Sequence, residues 1–467
     1  MSKKETKITL FFFILMPFVL TILFLAYPSM SFASKNLKKK LHHSIIRDKK
    51  NFGSGLKRSN KVLINKKYSK KLKKILSLKR LIKNSLKNYN LKSLEMKAAA
   101  SKENIKIEKS LPNPKIAFGY NDSDGFNNFM IGNKVYQGTK VRFTFTQLIP
   151  FPTKLFLRSK IAKNYYAYNK EITESARVST VADVKNYYYR LAQIENDIAI
   201  IKSDYSLLKL LEKNTDNGYA VGKTKETDVI RIELKMIALN NQLTDMEKDK
   251  LEALYELSRF SGLKLNKLKG KAILPNIKKL KPKKFKNIIL EAFKNSPLLK
   301  AINFLFKNSK DEKQLADQGL YPNIIFHVKY GYRYDIQPAL GGSIGLQIPL
   351  YFNQRQFPEI DKAKKNMIST MFARSWEYSG VSRKISTYLT KIKKYYKLYE
   401  TEKKIYLPES SLLLKLYINR YIFGKTSAFE LLNSFKKMVK AELLSNSYKL
   451  NFLINKSDLT ASLGKIN

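Results

Sequence analysis

The sequence predicts an α plus membrane-β fold: long coiled-coil helices joined to a small sheet of membrane type, with every element present twice. Three observations predict it. A stretch from about Thr153 to Asn214 holds neither Pro nor Gly and repeats apolar residues in steps of three and four. Four short segments alternate apolar and polar residues with period two. The second half of the chain also repeats motifs of the first, in the same order and at near-constant spacing.

The long helix carries Val181, Val184, Tyr188, Leu191, Ile194, Ile198, Ile201, Tyr205 and Leu208 on one seam. Some 60 residues at about 1.5 Å each reach on the order of 90 Å, more than a compact domain needs. Asp216-Asn217-Gly218 is expected to break it, with Thr224 capping a return helix from about Lys225 to Leu257. The counterpart runs from about Glu359 to Asn419, and Gly380 and Pro408 are expected to bend it. A helix of roughly 30 residues opens each half, about Ser77–Lys109 and Phe285–Gln318.

The duplication rests on paired motifs. Tyr219-Ala220-Val221-Gly222-Lys223-Thr224 matches Tyr421-Ile422-Phe423-Gly424-Lys425-Thr426, 202 residues on. At the same offset Asp228 matches Glu430 and Gly262 matches Gly464, while Gln147-Leu148-Ile149-Pro150 resembles Gln347-Ile348-Pro349. The expected organisation is a first repeat over 75–262, a linker over 263–284 and a second repeat over 285–467.

The alternating segments are expected strands. Val141, Phe143 and Phe145 oppose Lys140, Arg142, Thr144 and Thr146; Phe326, Val328, Tyr330 and Tyr332 oppose His327, Lys329, Gly331 and Arg333. Ile116, Phe118 and Tyr120, and Ile344, Leu346 and Ile348, form the apolar faces of the other two. Such strands suit either an ordinary sheet with one face on a core or a membrane barrel, apolar towards lipid and polar towards a lumen. Their length and the flanking Tyr334, Tyr351 and Phe352 favour the barrel. Four strands cannot close one, and open edges do not survive in lipid, so other copies must complete it: three give twelve strands, two give eight.

The chain has 467 residues, a net charge of +52, three histidines and no cysteine. The lack of cysteine excludes disulfide scaffolds, thiolate metal cages and Cys nucleophiles, and no cofactor or metal site is expected. Lys3, Lys4 and Lys7 precede an apolar run from Ile8 to Ala26 and the small-residue site Ser31-Phe32-Ala33. This reads as a cleaved secretory signal over 1–33 rather than a membrane anchor. Residues 34–74 are basic, with Lys38-Lys39-Lys40 and Lys70-Lys71-Leu72-Lys73-Lys74, and are expected to be a disordered extension. Export and the lack of interleaved aromatics argue against nucleic acid.

At this point the chain resembles the TolC family of outer-membrane efflux proteins over about residues 75–467. The resemblance rests on Leu111-Pro112-Asn113-Pro114, on Gln147-Leu148-Ile149-Pro150-Phe151-Pro152-Thr153-Lys154, on the paired Tyr-x-x-Gly-Lys-Thr turns and on Leu407-Pro408-Glu409 before the second turn. Thr153 stands where the family has Gly. The resemblance implies a homotrimer whose four strands per protomer close a transmembrane β-barrel in outer-membrane lipid, continued by an α-helical barrel through the periplasm. It implies a passive, non-enzymatic exit duct working with a periplasmic adaptor protein and an inner-membrane pump, for efflux or type I secretion. Val221, Gly222, Lys223, Thr224 and Asp228 of the first turn, with Phe423, Gly424, Lys425 and Thr426 of the second, would be the adaptor-docking tips. Lys140, Arg142, Lys329 and Arg333 would face the barrel lumen. Glu212, Asp216, Lys415 and Arg420 are candidate charges at the entrance, and the two basic ones would weaken cation preference there.

Gly-Lys-Thr suggests a phosphate loop, but the required earlier Gly is Asn217 in one copy and Asn419 in the other. An exported coiled-coil scaffold without a pore would need neither the strands nor the Pro-bounded turns around them.

Overall fold

The computed structural model describes residues 75–121, 140–280, 284–333 and 336–466. The expected signal, the basic extension and the start of the second strand at Thr139 lie outside them. The elements run α1 Leu78–Ser85, α2 Tyr89–Lys109, β1 Lys115–Asn121, β2 Lys140–Ile149, α3 Pro152–Ala220 and α4 Glu226–Ser261. There follow α5 Phe285–Asn295, α6 Pro297–Asp317, β3 Asn323–Arg333, β4 Ile336–Gln347, α7 Gln356–Thr401, α8 Leu407–Ile422 and α9 Ala428–Ser462.

The two opening helices are each split where a single one is expected. Asn88 interrupts the first: its side chain accepts a hydrogen bond from the Leu91 N–H at 2.8 Å and so caps a new helix. Ser296-Pro297 interrupts the second, with Pro297 in the first turn of α6, where a missing N–H costs nothing.

The expected break at Asp216-Asn217-Gly218 does not occur. α3 continues to Ala220, 69 residues in all and about 100 Å long. Gly218 keeps helical geometry, and the chain turns only at Gly222, whose φ of 71° is left-handed. Thr224 does not cap the return helix either. The flanking position is Lys225, which makes no side-chain cap, and the Thr224 hydroxyl instead donates to the Thr215 carbonyl at 2.7 Å. In the second half α7 passes Gly380 without interruption. The irregularity falls on a π-helical turn, Glu402–Tyr406, directly before Pro408 in the first turn of α8. Proline has no N–H to continue the ladder, and the wider turn accommodates that.

The strands form one antiparallel sheet in the order β1-β2-β3-β4. The helices pack side by side: α3 lies against α2, α4, α6 and α9, and α7 against α6 and α9. The seam on α3 fills two apolar clusters. In the upper one Val184, Tyr188 and Leu191 meet Leu257, Ile385 and Phe452. In the lower one Ile201, Leu208 and Leu211 meet Ile232, Leu431 and Phe435. Each fully buried Leu or Ile contributes about 1.5–3 kcal/mol.

The segment between the halves is tied down at mid-height of α3. The Ala272 N–H donates to the Glu195 carboxylate at 2.9 Å, and the Ile273 N–H to the Tyr188 hydroxyl at 3.1 Å. Its outer side pairs with Ile75 in a short parallel bridge through Lys271. Among the described residues no helix is long and apolar enough to cross a membrane.

Candidate functional site

Register aligns the apolar positions of all four strands on one face. Phe118 lies opposite Phe143, Phe143 opposite Tyr330, and Tyr330 opposite Leu340. A second row joins Ile116, Phe145, Val328 and Gly342, and Phe326 meets Ile344 beyond it. Nothing covers this face: Ile116 is 77% exposed, Leu340 76% and Ile344 74%. A water-facing sheet would not carry such a row, and a core-facing one would bury it.

The opposite face is small and polar. Its rows are Lys115, Thr146, His327 and Ser343; Ala117, Thr144, Lys329 and Gly341; and Gly119, Arg142, Gly331 and Ala339. Thr146 and His327 share a hydrogen bond of 2.9 Å. Arg142 and Lys329 are exposed on this face, and Lys140 is the register partner of Arg333 further along it. Among the described residues β1 and β4 each pair on one side only, which leaves the sheet two open edges.

The joint between sheet and helices is rigid. Phe151 stacks on Tyr321 with ring centroids 5.1 Å apart. Lys154, nearly buried, donates to the Tyr321 carbonyl at 2.7 Å and to the Asn323 side chain at 2.8 Å. Burial, with Arg158 nearby, pushes its ammonium pKa down. Lys154 belongs to the Gln147–Lys154 motif, but its locking role follows only from the fold, which brings Tyr321 to it.

At the far end of the helices are two turns of one design. Gly222 and Gly424 have φ of 71° and 67°. The Gly222 N–H donates to the Tyr219 carbonyl and the Lys223 N–H to the Gly218 carbonyl. The Gly424 N–H donates to the Tyr421 carbonyl and the Lys425 N–H to the Arg420 carbonyl. Val221 (67%) and Phe423 (76%) project into solvent beside them. The turns are held together: the buried Thr215 hydroxyl lies 3.0 Å from the Tyr421 hydroxyl, and the Thr215 carbonyl accepts from Thr224. Thr426 pairs with the Glu430 carboxylate, and the Asp228 N–H donates to the Lys225 carbonyl. The expected tip residues are therefore brought together in two adjacent turns.

The four candidate entrance charges form no ion pair with one another among the described residues. Asp216, Lys415 and Arg420 are exposed and Glu212 is half-buried. Arg420 stacks over Tyr417 at 5.9 Å and reaches the Lys425 carbonyl at 3.4 Å. Among the described residues no ion pair joins Lys415 or Arg420 to a carboxylate.

A buried polar patch went unforeseen in the sequence. Asp197 and Asp204, two helical turns apart on α3, lie beside the apolar seam, almost out of water. Asp197 accepts from Asn446 at 2.7 Å and from Gln193. Burial pushes it up to about 6 against those two donors. Asp204 has a buried Oδ2 with no hydrogen-bond partner. Burial, then the negative charge of Glu442, pushes it up to about 7, with Lys235 opposing. Folded Asp204 thus keeps its proton where the unfolded chain has released it, so it costs stability as pH rises from about 4 to about 7. Asp204→Asn is expected to stabilise the hairpins at pH 8, by on the order of 1–3 kcal/mol, and to change little at pH 4. Denaturant midpoints of both proteins at the two pH values check this. An equal gain at both values would refute it.

No protein-family model matches this chain. No curated protein sequence matches it either. Solved structures do. The chain is similar to the outer-membrane channel OprN, with a TM-score of 0.73, 14% identity and coverage of 83% of this chain and 89% of that one. It is similar to the Campylobacter jejuni CmeC outer membrane channel, with a TM-score of 0.70, 15% identity and coverage of 83% and 85%. It is similar to the open state of the Neisseria gonorrhoeae MtrE outer membrane channel, with a TM-score of 0.66, 17% identity and coverage of 84% and 89%. The chain has the fold of these channels.

Proposed function

We propose that this chain is one protomer of a trimeric, passive exit duct of the TolC kind, spanning the outer membrane and the periplasm. A bare apolar sheet face with two open edges, at one end of helices about 100 Å long, carries the reading. Three copies supply twelve strands, pair every edge and turn the apolar face to lipid and the small polar face to a wet lumen. The repeated order of two helices, two strands and a long hairpin suits a ring in which each protomer contributes two similar sectors.

The helices support the same assembly. α4 buries Ile232, Met236 and Leu239 within the chain but leaves Ile230, Leu234 and Ile237 exposed as a second apolar seam. A second seam on a helix calls for a second neighbour. No chemistry is assigned to the duct. Its partners are an inner-membrane pump and an adaptor that meets the Gly222 and Gly424 turns.

The test is the mass of the purified protein in detergent together with its conductance in planar bilayers. Three copies and stepwise openings are expected; a monomer that conducts nothing would overturn the reading. The same bilayers test ion preference. Lys415 and Arg420 near the entrance, with Arg142 and Lys329 in the barrel, become rings of three like charges in a trimer. Removing the entrance pair as Lys415→Gln and Arg420→Gln is expected to move the anion-to-cation permeability ratio about twofold towards cations. Reversal potentials unchanged in a salt gradient would show that these side chains do not face the pore.

A further inference from the structure

The charge of the chain is unevenly placed. From Leu257 to Leu290 there is no acidic residue, but there are one arginine and ten lysines. α4, immediately before, carries eight acidic residues. Residues 75–94 are likewise free of acid and contain Lys79, Arg80, Lys83, Lys87 and Lys92. The fold brings the two stretches together: the Leu76 N–H donates to the Lys271 carbonyl at 3.0 Å, and Leu76 and Leu81 share a core with Leu268, Ala272 and Leu274.

Lys264, Lys267, Lys269, Lys271, Lys278 and Lys279 are all exposed. Among the described residues none of the six is in an ion pair, and the stretch itself holds no carboxylate to supply one, whereas lysines on acid-bearing helices can pair, as Lys160 does with Asp311 and Lys313 with Asp317. A cleft of about 560 Å³ opens beside two of the six, Lys269 and Lys271, and is lined also by Glu195, Lys202 and Lys250. Glu195 pairs with Lys250 at 3.0 Å and accepts from the Ala272 N–H, and Glu247 pairs with Lys202 at 3.5 Å, which leaves Lys269 and Lys271 as the cleft lysines without an ion pair among the described residues. The backbone beneath is tied down at Lys271, Ala272 and Ile273 by Leu76, Glu195 and Tyr188, so the lysines stem from an anchored strap. A fixed, unneutralised row of like charge favours a polyanion over a single ion.

Height selects the polyanion. Glu195 lies 43 residues along α3 from Pro152, about 65 Å from the sheet. Charges are screened beyond about 10 Å, so the strap is out of reach of membrane headgroups. We propose that this lysine belt docks the carboxylate-bearing glycopeptide mesh of the cell wall, an inference that rests on the outer-membrane reading above. Mesh carboxylates would pair with the six lysines and enter the cleft beside Lys269 and Lys271.

The test uses full-length protein in detergent, sedimented with purified Gram-negative sacculi. The belt variant carries Gln at Lys264, Lys267, Lys269, Lys271, Lys278 and Lys279. A matched variant loses the same charge from α7, with Gln at Lys362, Lys364, Lys384, Lys391, Lys393 and Lys397. The wild type and the α7 variant are expected to pellet, and the belt variant to bind roughly tenfold more weakly. Sacculi whose carboxylates have been amidated should retain none of the three. Equal binding by belt and α7 variants would overturn the proposal, assigning retention to diffuse charge or to the basic extension. Stronger binding to phosphatidylglycerol vesicles than to sacculi would overturn it in favour of a lipid surface. Bilayer conductance of the belt variant separates the two readings. A conducting variant with lost sacculus binding supports both, and a non-conducting wild type that still binds sacculi removes the duct but not the belt.

Discussion

Arginine at Phe118 and Leu340 together is expected to abolish assembly into the outer membrane. The two residues lie in one cross-strand row, Phe118–Phe143–Tyr330–Leu340, on the bare face of the sheet. Within one chain neither is packed in a core, so the substitutions cost little if that face meets water. If it meets lipid, each arginine near mid-bilayer costs about 2–4 kcal/mol, and threefold assembly triples the sum. Arginine at Ala339 and Ser343, on the opposite face of β4, is expected to leave assembly intact. Recovery of heat-sensitive oligomer from outer-membrane fractions decides between them. Normal recovery of the Phe118→Arg, Leu340→Arg protein would mean the sheet does not face lipid.

Tryptophan at Gly222 and Gly424 is expected to abolish export while oligomers still form. Both glycines adopt left-handed φ, where a side chain costs about 1–2 kcal/mol. No atom lies within 4 Å of a Cβ added at either, so a side chain leaves the turn into open space rather than into the same chain's packing. The damage therefore falls on whatever approaches the turns from outside. Alanine at both positions carries the backbone strain without the bulk and separates the two effects: it is expected to keep most of the export. Full export by the double tryptophan protein would remove these turns from the docking surface.

The strands and the long helices were legible because their periods are strong. Phe143 and Phe145 alternate with Arg142 and Thr144, and pairing with β3 preserves that alternation across the sheet. The left-handed turns were legible because glycine recurs at the same place in both halves. Helix ends were less so. Asp216-Asn217-Gly218 has the composition of a break, yet a helix continues where its neighbours bury it: Leu211 packs in the lower cluster, and the buried Thr215 hydroxyl bonds Tyr421. The buried Asp197 and Asp204 could not be read from periodicity, because two aspartates seven residues apart look like a solvated face until Asn446 and Glu442 are brought against them. Lys415 and Arg420 were singled out by nearness to a turn, which says nothing about direction.

The two long arms differ in one respect, and it has a mechanical consequence. α3 is an unbroken rod from Pro152 to Ala220. Its counterpart is interrupted by the π-helical turn Glu402–Tyr406, where the buried Glu402 Oε1 has no hydrogen-bond partner. A rod with a continuous hydrogen-bond ladder resists bending, whereas a wide turn with a gap in its ladder is compliant. Under load at the tips, bending is therefore expected to fall in the second arm rather than the first. The hinge lies just above Pro408, sixteen residues or about 24 Å from Gly424. Bending at that turn is expected to displace α8 and the start of α9 relative to the first hairpin.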